Sequence, residues 1–348
     1  MKKIFIFLTC LVSFLLILSC TEKKDSQLDL KTIIVKDYRD RTVEIGKSNK
    51  IVMMADLALN ILDQLNVTSR IVGIDSKSLK YGDALMCFEN HPDLLDLQDV
   101  GKTSNPNMEA IMSLSPDLIL FKGDSTVADT MQEKLNIPVV CVKSLSGYDF
   151  DLYTFIGKVL GVEDRARQLV THLENEKSIL EELTKSIEDK PTVYTCLQNK
   201  KGNFYKTMRS IQSVDIIGLV NVAKDFDNSD EWGNCIISKE TLIEWNPDVI
   251  FLEKPQNESN ILISDFEKDS TIKDLNATKN KKIFITQVLS LPKDYVNVIC
   301  EGWYYVSIVF PEIASTDLYA IAINRIFYEM YGKENYFDFW NENHKISF

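Results

Sequence analysis

Short apolar runs and segments of helical apolar spacing alternate along the first half of the chain. Strands are predicted at 32–36, 42–45, 51–54, 71–74, 118–121 and 139–142. Helices are predicted at 57–65, 109–114 and 126–135. The first two strands flank Asp40-Arg41 and predict a small hairpin. The later strands alternate with helices, which is typical of a parallel sheet covered by helices.

The middle of the chain breaks this alternation. Residues 152–187 contain no proline and no strand pattern, and Gly157 and Gly161 are the only helix breakers among them. From about residue 163 to 188, leucine and isoleucine recur at helical spacing, and Pro191 follows. A helix of that length spans roughly 37 Å, about the width of a domain. We therefore predict one long helix that joins two lobes.

The second half resumes the alternation and then becomes helical. Strands are predicted at 193–197, 249–252 and 283–285, and helices at 210–219, 239–245, 303–310, 317–331 and up to about 340. The predicted fold class is α/β, with two Rossmann-like α/β lobes joined by one long α-helix and a ligand cleft between the lobes. We place the N-terminal lobe at 32–148, the spanning helix at 149–190, and the C-terminal lobe with its final helices at 191–348.

A sequence repeat supports two similar lobes. Residues 107–121 read NMEAIMSLSPDLILF, and residues 238–252 read SKETLIEWNPDVIFL. In both, a helix-capping residue precedes a glutamate by two positions, and a Pro-Asp pair begins seven positions after that glutamate. The glutamates are Glu109 and Glu240. A local role is sufficient for each, because a carboxylate in the first helical turn interacts favourably with the helix dipole by a few tenths of a kcal/mol.

The first residues have the pattern of a secretion signal. Lys2 and Lys3 precede an apolar run from 4 to 18, which is too short to span a bilayer comfortably. The ending at 17–20, ILSC, resembles a bacterial lipobox. That resemblance implies a signal peptide at 1–19, a lipid on Cys20, a tether at 20–31 and a position on the outer side of a bacterial membrane. An ordinary signal with an incidental cysteine is the alternative.

Composition excludes several other classes of function. The 348 residues are 45% hydrophobic and carry a formal net charge of −12, which is unfavourable for binding nucleic acid or anionic membranes. Five widely spaced cysteines remain beyond Cys20, and we interpret them as buried thiols. The three histidines do not cluster, so we predict no bound bare metal and no cofactor. The motifs of common hydrolases and nucleotide-binding enzymes are absent.

Several short motifs together resemble one family. They are VKD at 35–37, RTV at 41–43, KIV at 50–52, VG at 100–101, GLVNV at 218–222, PE at 311–312, FY at 327–328 and YG at 331–332. With both Pro-Asp strands, their order resembles the binding proteins of ABC importers for ferric siderophores, haem and cobalamin, the type with a single helical spine. Leu219 stands where the family has a second glycine.

The resemblance implies a partner and a role for the repeated glutamates. The partner is a permease dimer with its ATPase subunits, and the binding protein itself acts as a monomer. In the family, the glutamates at the positions of Glu109 and Glu240 lie on the tops of the two lobes and pair with permease arginines. Two equivalent carboxylates suit a two-fold partner, which a helix-dipole role does not require.

Loops at the carboxyl ends of the strands are predicted to hold the ligand. They lie at 75–81, 122–125, 144–148, 198–209, 253–259 and 287–303. The candidate ligand-binding residues are aromatic or cationic: Tyr81, Tyr148, Tyr205, Lys206, Arg209, Trp232, Trp303 and Tyr304. A solvated loop is an equal alternative for the segment 204–209, and a core position is the more common role for Trp303.

The predicted cargo is an iron complex, in which the chelator supplies the ligands of the metal. The same machinery with cobalamin, haem or an oxyanion is the alternative. A lipid-anchored sensor or adhesin on the same fold is an alternative of another class.

Overall fold

The computed structural model describes most of the chain. The described residues are 32–56, 58–82, 85–143, 150–197, 204–230, 233–254, 261–286 and 295–339. No helix within these ranges is both long enough and apolar enough to cross a membrane.

The fold begins with the predicted antiparallel hairpin. Strand β1 (Ile33–Lys36) pairs with β2 (Thr42–Ile45). Asp37 shapes the turn, because its Oδ1 atom accepts the backbone N–H of Arg41 at 3.1 Å and its Oδ2 atom lies 3.0 Å from Nη1 of the same arginine. Asp40 takes a positive φ of 61°, which closes the turn. The hairpin prediction is confirmed.

A five-stranded parallel sheet, the N-lobe sheet, follows. Its strands are β3 (Ile51–Met54), β4 (Ile71–Ile74), β5 (Gln98–Asp99), β8 (Leu118–Phe121) and β9 (Val139–Cys141), in the order β5-β4-β3-β8-β9. A short hairpin of β6 (Gly101–Lys102) and β7 (Asn105–Pro106) lies between β5 and β8 in sequence. The helices are α1 (Ala58–Gln64), α2 (Ser76–Tyr81), α3 (Met86–Asn90), α4 (Met108–Leu114) and α5 (Ser125–Leu135). The sheet is parallel, as the alternating pattern predicts.

The second half builds a four-stranded parallel sheet, the C-lobe sheet. Its strands are β10 (Thr192–Cys196), β12 (Val220–Asn221), β14 (Val249–Glu253) and β15 (Ile283–Thr286), in the order β12-β10-β14-β15. A separate antiparallel pair is formed by β11 (Lys206–Met208) and β13 (Asn234–Ile236). The helices here are α8 (Gln212–Ile216), α9 (Lys239–Trp245), α10 (Ile263–Lys268) and α11 (Asn276–Lys279), followed by α12 (Tyr295–Val309) and α13 (Thr316–Tyr331).

The spanning segment consists of two helices. Helix α6 (Asp151–Leu160) ends at Gly161, whose φ of 68° is a conformation that glycine adopts without strain. The long helix α7 (Glu163–Lys185) then runs for 23 residues, or roughly 35 Å. It begins where the sequence predicts and ends three residues earlier. Its buried side is lined by Ala166, Leu169, Leu173, Glu176, Leu180 and Thr184.

Helix α12 begins eight residues before the predicted start at Trp303. Twelve of its fifteen residues are buried, including Glu301 and Ser307, so the helix is covered on nearly every side and has no clear amphipathic period to mark its start. The predicted boundary was therefore wrong.

The end of the chain returns to the N-terminal lobe. The side-chain amide of Gln64 in α1 donates to the hydroxyl of Tyr331 at 2.5 Å. Lys333 pairs with Glu89 in α3 at 3.0 Å, and Tyr336 donates to the same carboxylate at 3.1 Å. The C-terminal helices therefore connect both lobes, in addition to α7.

Candidate functional site

Three charged side chains meet at the carboxyl ends of neighbouring strands in the N-lobe sheet. Asp56 follows β3, Lys77 follows β4 and Lys122 follows β8. One carboxylate oxygen of Asp56 lies 2.8 Å from Nζ of Lys77, and the other lies 3.1 Å from Nζ of Lys122. We call these three residues the lysine cluster. Ligands of parallel α/β sheets bind at this edge.

The lysine cluster itself holds two ammonium groups and one carboxylate, and the buried carboxyl of Asp75 is close enough to interact with Asp56. Asp56 is 5% exposed, and burial alone would raise its pKa. The hydrogen bonds and charges of the two lysines outweigh burial and lower the pKa of Asp56, which keeps it ionised. Its hydrogen bond raises the pKa of Lys77. Two ammonium groups therefore face one carboxylate.

The predicted ligand residue Tyr81 lies beside this cluster. Nζ of Lys77 is 5.5 Å from the centroid of the Tyr81 ring, and both residues belong to α2. Tyr81 is half-buried. An aromatic face next to a cation at a sheet edge suits a ligand that carries both oxygens and rings.

The equivalent edge of the C-lobe sheet has a different charge. One position after the repeat, Lys122 corresponds to Glu253, which is fully buried at the end of β14. Nearby, Glu301 accepts hydrogen bonds from Ser213 Oγ at 2.6 Å and from Thr286 Oγ1 at 2.5 Å. Glu301 is buried and already has hydrogen-bond partners. Of the charged groups at the two sheet edges, the lysine cluster is therefore the more accessible.

The predicted loop around Arg209 is divided between a strand, the core and the surface. Lys206 begins β11, and Phe204 before it is buried against Phe266. Tyr205 is half-buried beside Lys239, and burial raises its pKa. The exposed Arg209 donates from Nε to the carbonyl oxygen of Lys224 at 3.0 Å. Residues four apart on an extended chain are roughly 13 Å apart, so Tyr205 and Arg209 do not meet at one point.

Two predicted ligand residues are core residues instead. Trp303 is buried, and its indole N–H donates to Oε2 of Glu176 at 3.0 Å. Tyr304 is also buried, and its hydroxyl donates to the carbonyl oxygen of Ile285 at 3.0 Å. The structure therefore corrects the expectation that they line the cleft. Their polar atoms already have partners inside the protein.

Three further predicted residues lie outside the described ranges. They are Cys20, Tyr148 and Trp232. Asp56, Lys77 and Lys122 were not predicted as ligand residues, although loops 75–81 and 122–125 were predicted to lie at the cleft. The available signal was a charged residue immediately after a buried apolar run, as at Phe121-Lys122.

The two repeated segments form equivalent helices. Asn107 caps α4 by accepting the N–H of Ala110 at 3.1 Å, and Ser238 caps α9 by accepting the N–H of Thr241 at 3.1 Å. Each helix has seven residues and ends at a residue with positive φ. Glu109 and Glu240 are exposed, and neither pairs with a cation among the described residues.

The Pro-Asp pairs have a structural role. Oδ2 of Asp117 accepts the N–H of Lys50 just before β3, at 3.1 Å. Oδ2 of Asp248 accepts the N–H of Thr192 at the start of β10, at 3.0 Å. Each aspartate therefore connects its own strand to the neighbouring strand. This accounts for the Pro-Asp half of the repeat. The exposed glutamates remain outside any ion pair of the described chain, although the carboxylate of Glu240 has a hydrogen bond with its own capping residue Ser238.

Comparison with known proteins gives a consistent result. The family described as "Periplasmic binding protein" matches residues 51–288. The Fe(3+)-citrate-binding protein YfmC of Bacillus subtilis is 24% identical over 272 residues, 76% of this chain and 79% of that protein. The petrobactin-binding protein YclQ of the same bacterium is 23% identical over 302 residues, 80% of this chain and 89% of that protein.

A solved structure supports the fold. The periplasmic solute binding protein of Veillonella parvula matches with a TM-score of 0.70 and 19% identity, over 87% of this chain and 94% of that chain. Structural neighbours of this kind have two lobes, as the sequence predicts. These relatives bind solutes for ABC transporters and are not enzymes. The chain therefore belongs to the periplasmic binding protein family, as a substrate-binding protein of an ABC importer.

Proposed function

We propose that this chain is a lipid-anchored monomer that captures an anionic ferric chelate outside the cytoplasmic membrane. It delivers the chelate to the permease dimer of an ABC importer, which works with its ATPase subunits. The lysine cluster is the observation from which we infer an anionic cargo. The Fe(3+)-citrate and petrobactin binders among the relatives support iron as the metal.

The lysine cluster has more positive charge than its buried carboxylate needs. One ammonium group would neutralise Asp56, but two contact it. Each ammonium has three N–H donors. Asp56 takes one from each and Tyr81 takes a second from Lys77, so at least one donor of each lysine remains for oxygens of a ligand. The side chain of Lys77 is 60% exposed, which leaves it accessible. Charge-assisted bonds to carboxylate or catecholate oxygens would therefore form at this edge.

We propose Tyr205, Lys206 and Arg209, at separate points along one extended segment, as the candidates for the opposing wall. Arg209 is exposed, and its Nε atom donates a hydrogen bond to a backbone carbonyl oxygen. This bond fixes the guanidinium plane and therefore the direction of the terminal N–H groups. Arg209→Ala should weaken binding of ferric citrate if this side chain contacts the chelate. An unchanged dissociation constant would remove Arg209 from the site.

Other cargoes differ in charge and shape, so direct binding separates them. Calorimetry of the mature protein should be carried out with ferric citrate, molybdate, haemin and cobalamin. We expect the anionic ferric complex to bind and cobalamin to bind weakly or not at all. Binding of cobalamin alone would contradict the proposed cargo and leave the importer role intact.

The lysine cluster itself is tested by a matched pair of variants. Lys77→Met with Lys122→Met should weaken ferric citrate binding by roughly tenfold to a hundredfold, the loss expected for charge-assisted hydrogen bonds. Lys177→Met with Lys185→Met removes the same two charges from α7, away from the lysine cluster, and should leave affinity unchanged. Equal affinity in all three proteins would place the chelate elsewhere.

The sensor or adhesin alternative requires no transfer of cargo. A chain that binds ferric citrate but never stimulates ATP hydrolysis by the reconstituted importer would support that alternative. Stimulation of the ATPase by the loaded protein supports delivery.

A further inference from the structure

Helices α4 and α9 agree in exposure at every position of the repeat. From 107 to 117 and from 238 to 248, exposed, half-buried and buried residues follow in the same order. The buried members at the centres of the helices are Ile111 and Leu242, which hold the inner faces against the two lobes. The outer faces are therefore oriented alike, although only some of their residues are identical.

Each outer face carries a large exposed apolar residue at the same place. Met112 is 59% exposed and Ile243 is 43% exposed. Each stands three residues after the exposed glutamate of its helix, Glu109 or Glu240. Side chains three apart on a helix are neighbours, with Cβ atoms about 5–6 Å apart. An anionic group and an apolar group thus form one small patch on each lobe.

A single exposed apolar residue needs no explanation, because folded proteins expose many. The match between the two lobes is different. Neither side chain belongs to the buried core of its lobe, so core packing does not select an apolar residue at this position in either helix. Both helices nevertheless place one beside the glutamate. A requirement shared by both outer faces accounts for this better than two independent exposures.

We propose that Met112 and Ile243 are paired contact residues that insert into equivalent apolar pockets on the two permease subunits, each beside a basic residue. This inference rests on the proposed delivery to an importer. A permease dimer presents the same surface twice, so the two lobes must offer similar chemistry at corresponding positions. Two acidic-apolar patches meet that condition and complement a basic residue next to an apolar pocket.

The difference between the two apolar residues is compatible with identical pockets. Methionine and isoleucine are similar in size, and the unbranched methionine side chain adapts to a pocket shaped for a branched one.

The glutamate and the apolar residue of each patch act at different stages of docking. Charges at an interface mainly increase the association rate, whereas buried apolar contacts mainly slow dissociation.

The test measures docking of the mature chain, without added ligand, to the importer reconstituted in nanodiscs. Met112→Ser with Ile243→Ser should weaken docking by roughly tenfold to a hundredfold, mainly through faster dissociation, with little change in salt dependence. Ile179→Ser with Ile321→Ser is the matched control. Those residues are 39% and 58% exposed on α7 and α13, away from both patches, and their replacement should leave docking unchanged.

The outcomes separate this inference from the docking role of the glutamates. If Glu109→Gln with Glu240→Gln weakens docking while the serine pair at 112 and 243 docks normally, the apolar contacts are disproved and the proposed function stands. Equal losses in the serine pair and its control would also disprove them, because the effect would not be local. A wild-type chain that fails to dock would overturn the proposed function and this inference together.

Discussion

Glu176 and Arg325 form an ion pair between the long helix α7 and the C-terminal helix α13, with Oε1 of the glutamate 2.6 Å from Nε of the arginine. The other oxygen of Glu176 accepts the indole N–H of Trp303 in α12 at 3.0 Å. One buried carboxylate therefore joins three helices. The spine is fixed to the C-terminal helices by a polar contact as well as by apolar packing.

Removing the cation should destabilise the protein because it leaves a buried carboxylate without its charged partner. We expect Arg325→Met to lower the free energy of unfolding by roughly 3 kcal/mol, the low end for a buried pair, since Arg325 is 39% exposed. Arg167→Met breaks an exposed pair with Asp164 on the same helix and should cost less than about 1 kcal/mol. Urea unfolding of both variants measures the difference, and equal losses would contradict the role of Glu176.

His172 should make the protein less stable in mild acid. Burial lowers the pKa of His172 below its ordinary value of 6.5, and its Nε2 atom has no hydrogen-bond partner among the described residues. Glu176 and Glu329 oppose this shift, but burial outweighs them. The unfolded chain therefore takes up a proton at a higher pH than the folded chain does. The free energy of unfolding should not change with this group above pH 6.5, the pKa of His172 in the unfolded chain. It should fall as the pH drops through about 6.5.

The measurement is the free energy of unfolding in urea at pH 7.5 and at pH 5.5. The test variant has glutamine in place of His172, because glutamine is polar but has no group that takes up a proton in this pH range. His172→Gln should lose less stability between the two pH values than the wild-type protein loses. An identical loss in both proteins would show that His172 does not contribute.

The fold was largely predictable because its signals are local. Val139–Cys141 and Ile51–Met54 are buried on both faces of a parallel sheet, so they appear as uninterrupted apolar runs. The ligand residues were less predictable. Trp303 could not be assigned from the sequence, because its position depends on the distant partner Glu176. Asp56 and Lys122 are 66 residues apart and meet only through the order of the strands.

The lobes should move little when ligand binds. Helix α7 is continuous, and the contacts of Gln64 with Tyr331 and of Glu89 with Lys333 form a second connection between the lobes. A continuous helix has no soft dihedral angles that could act as a hinge. We expect the radius of gyration from small-angle scattering to be the same with and without ferric citrate. A clear decrease on binding would contradict this rigid connection.

Cys20 should carry the membrane anchor. Cys20→Ala removes the residue on which the lipobox resemblance depends, so uncleaved precursor should accumulate. The wild-type protein should partition into detergent, and growth with labelled palmitate should label it. Cys10→Ala changes the cysteine inside the predicted signal peptide and should be processed normally. Normal processing and membrane retention of Cys20→Ala would show that the anchor is not a lipid on this residue.

The glutamates of the repeat provide the most direct test of delivery. Glu109 and Glu240 are exposed at the second position of equivalent capped helices. If they act only on the helix dipole, replacement by glutamine costs a few tenths of a kcal/mol in stability and leaves transport intact. If each pairs with a permease arginine, the double Glu→Gln variant loses two interfacial charge pairs and should transport markedly less, with a weaker dependence on salt. Its affinity for the cargo should stay unchanged, because neither residue contacts the lysine cluster.

Uptake of labelled ferric citrate into vesicles that contain the importer distinguishes the two roles. It is measured at a saturating concentration of the loaded protein and then at lower concentrations. Normal uptake by the double variant at every concentration and every salt level would return both residues to a purely local role in their helices.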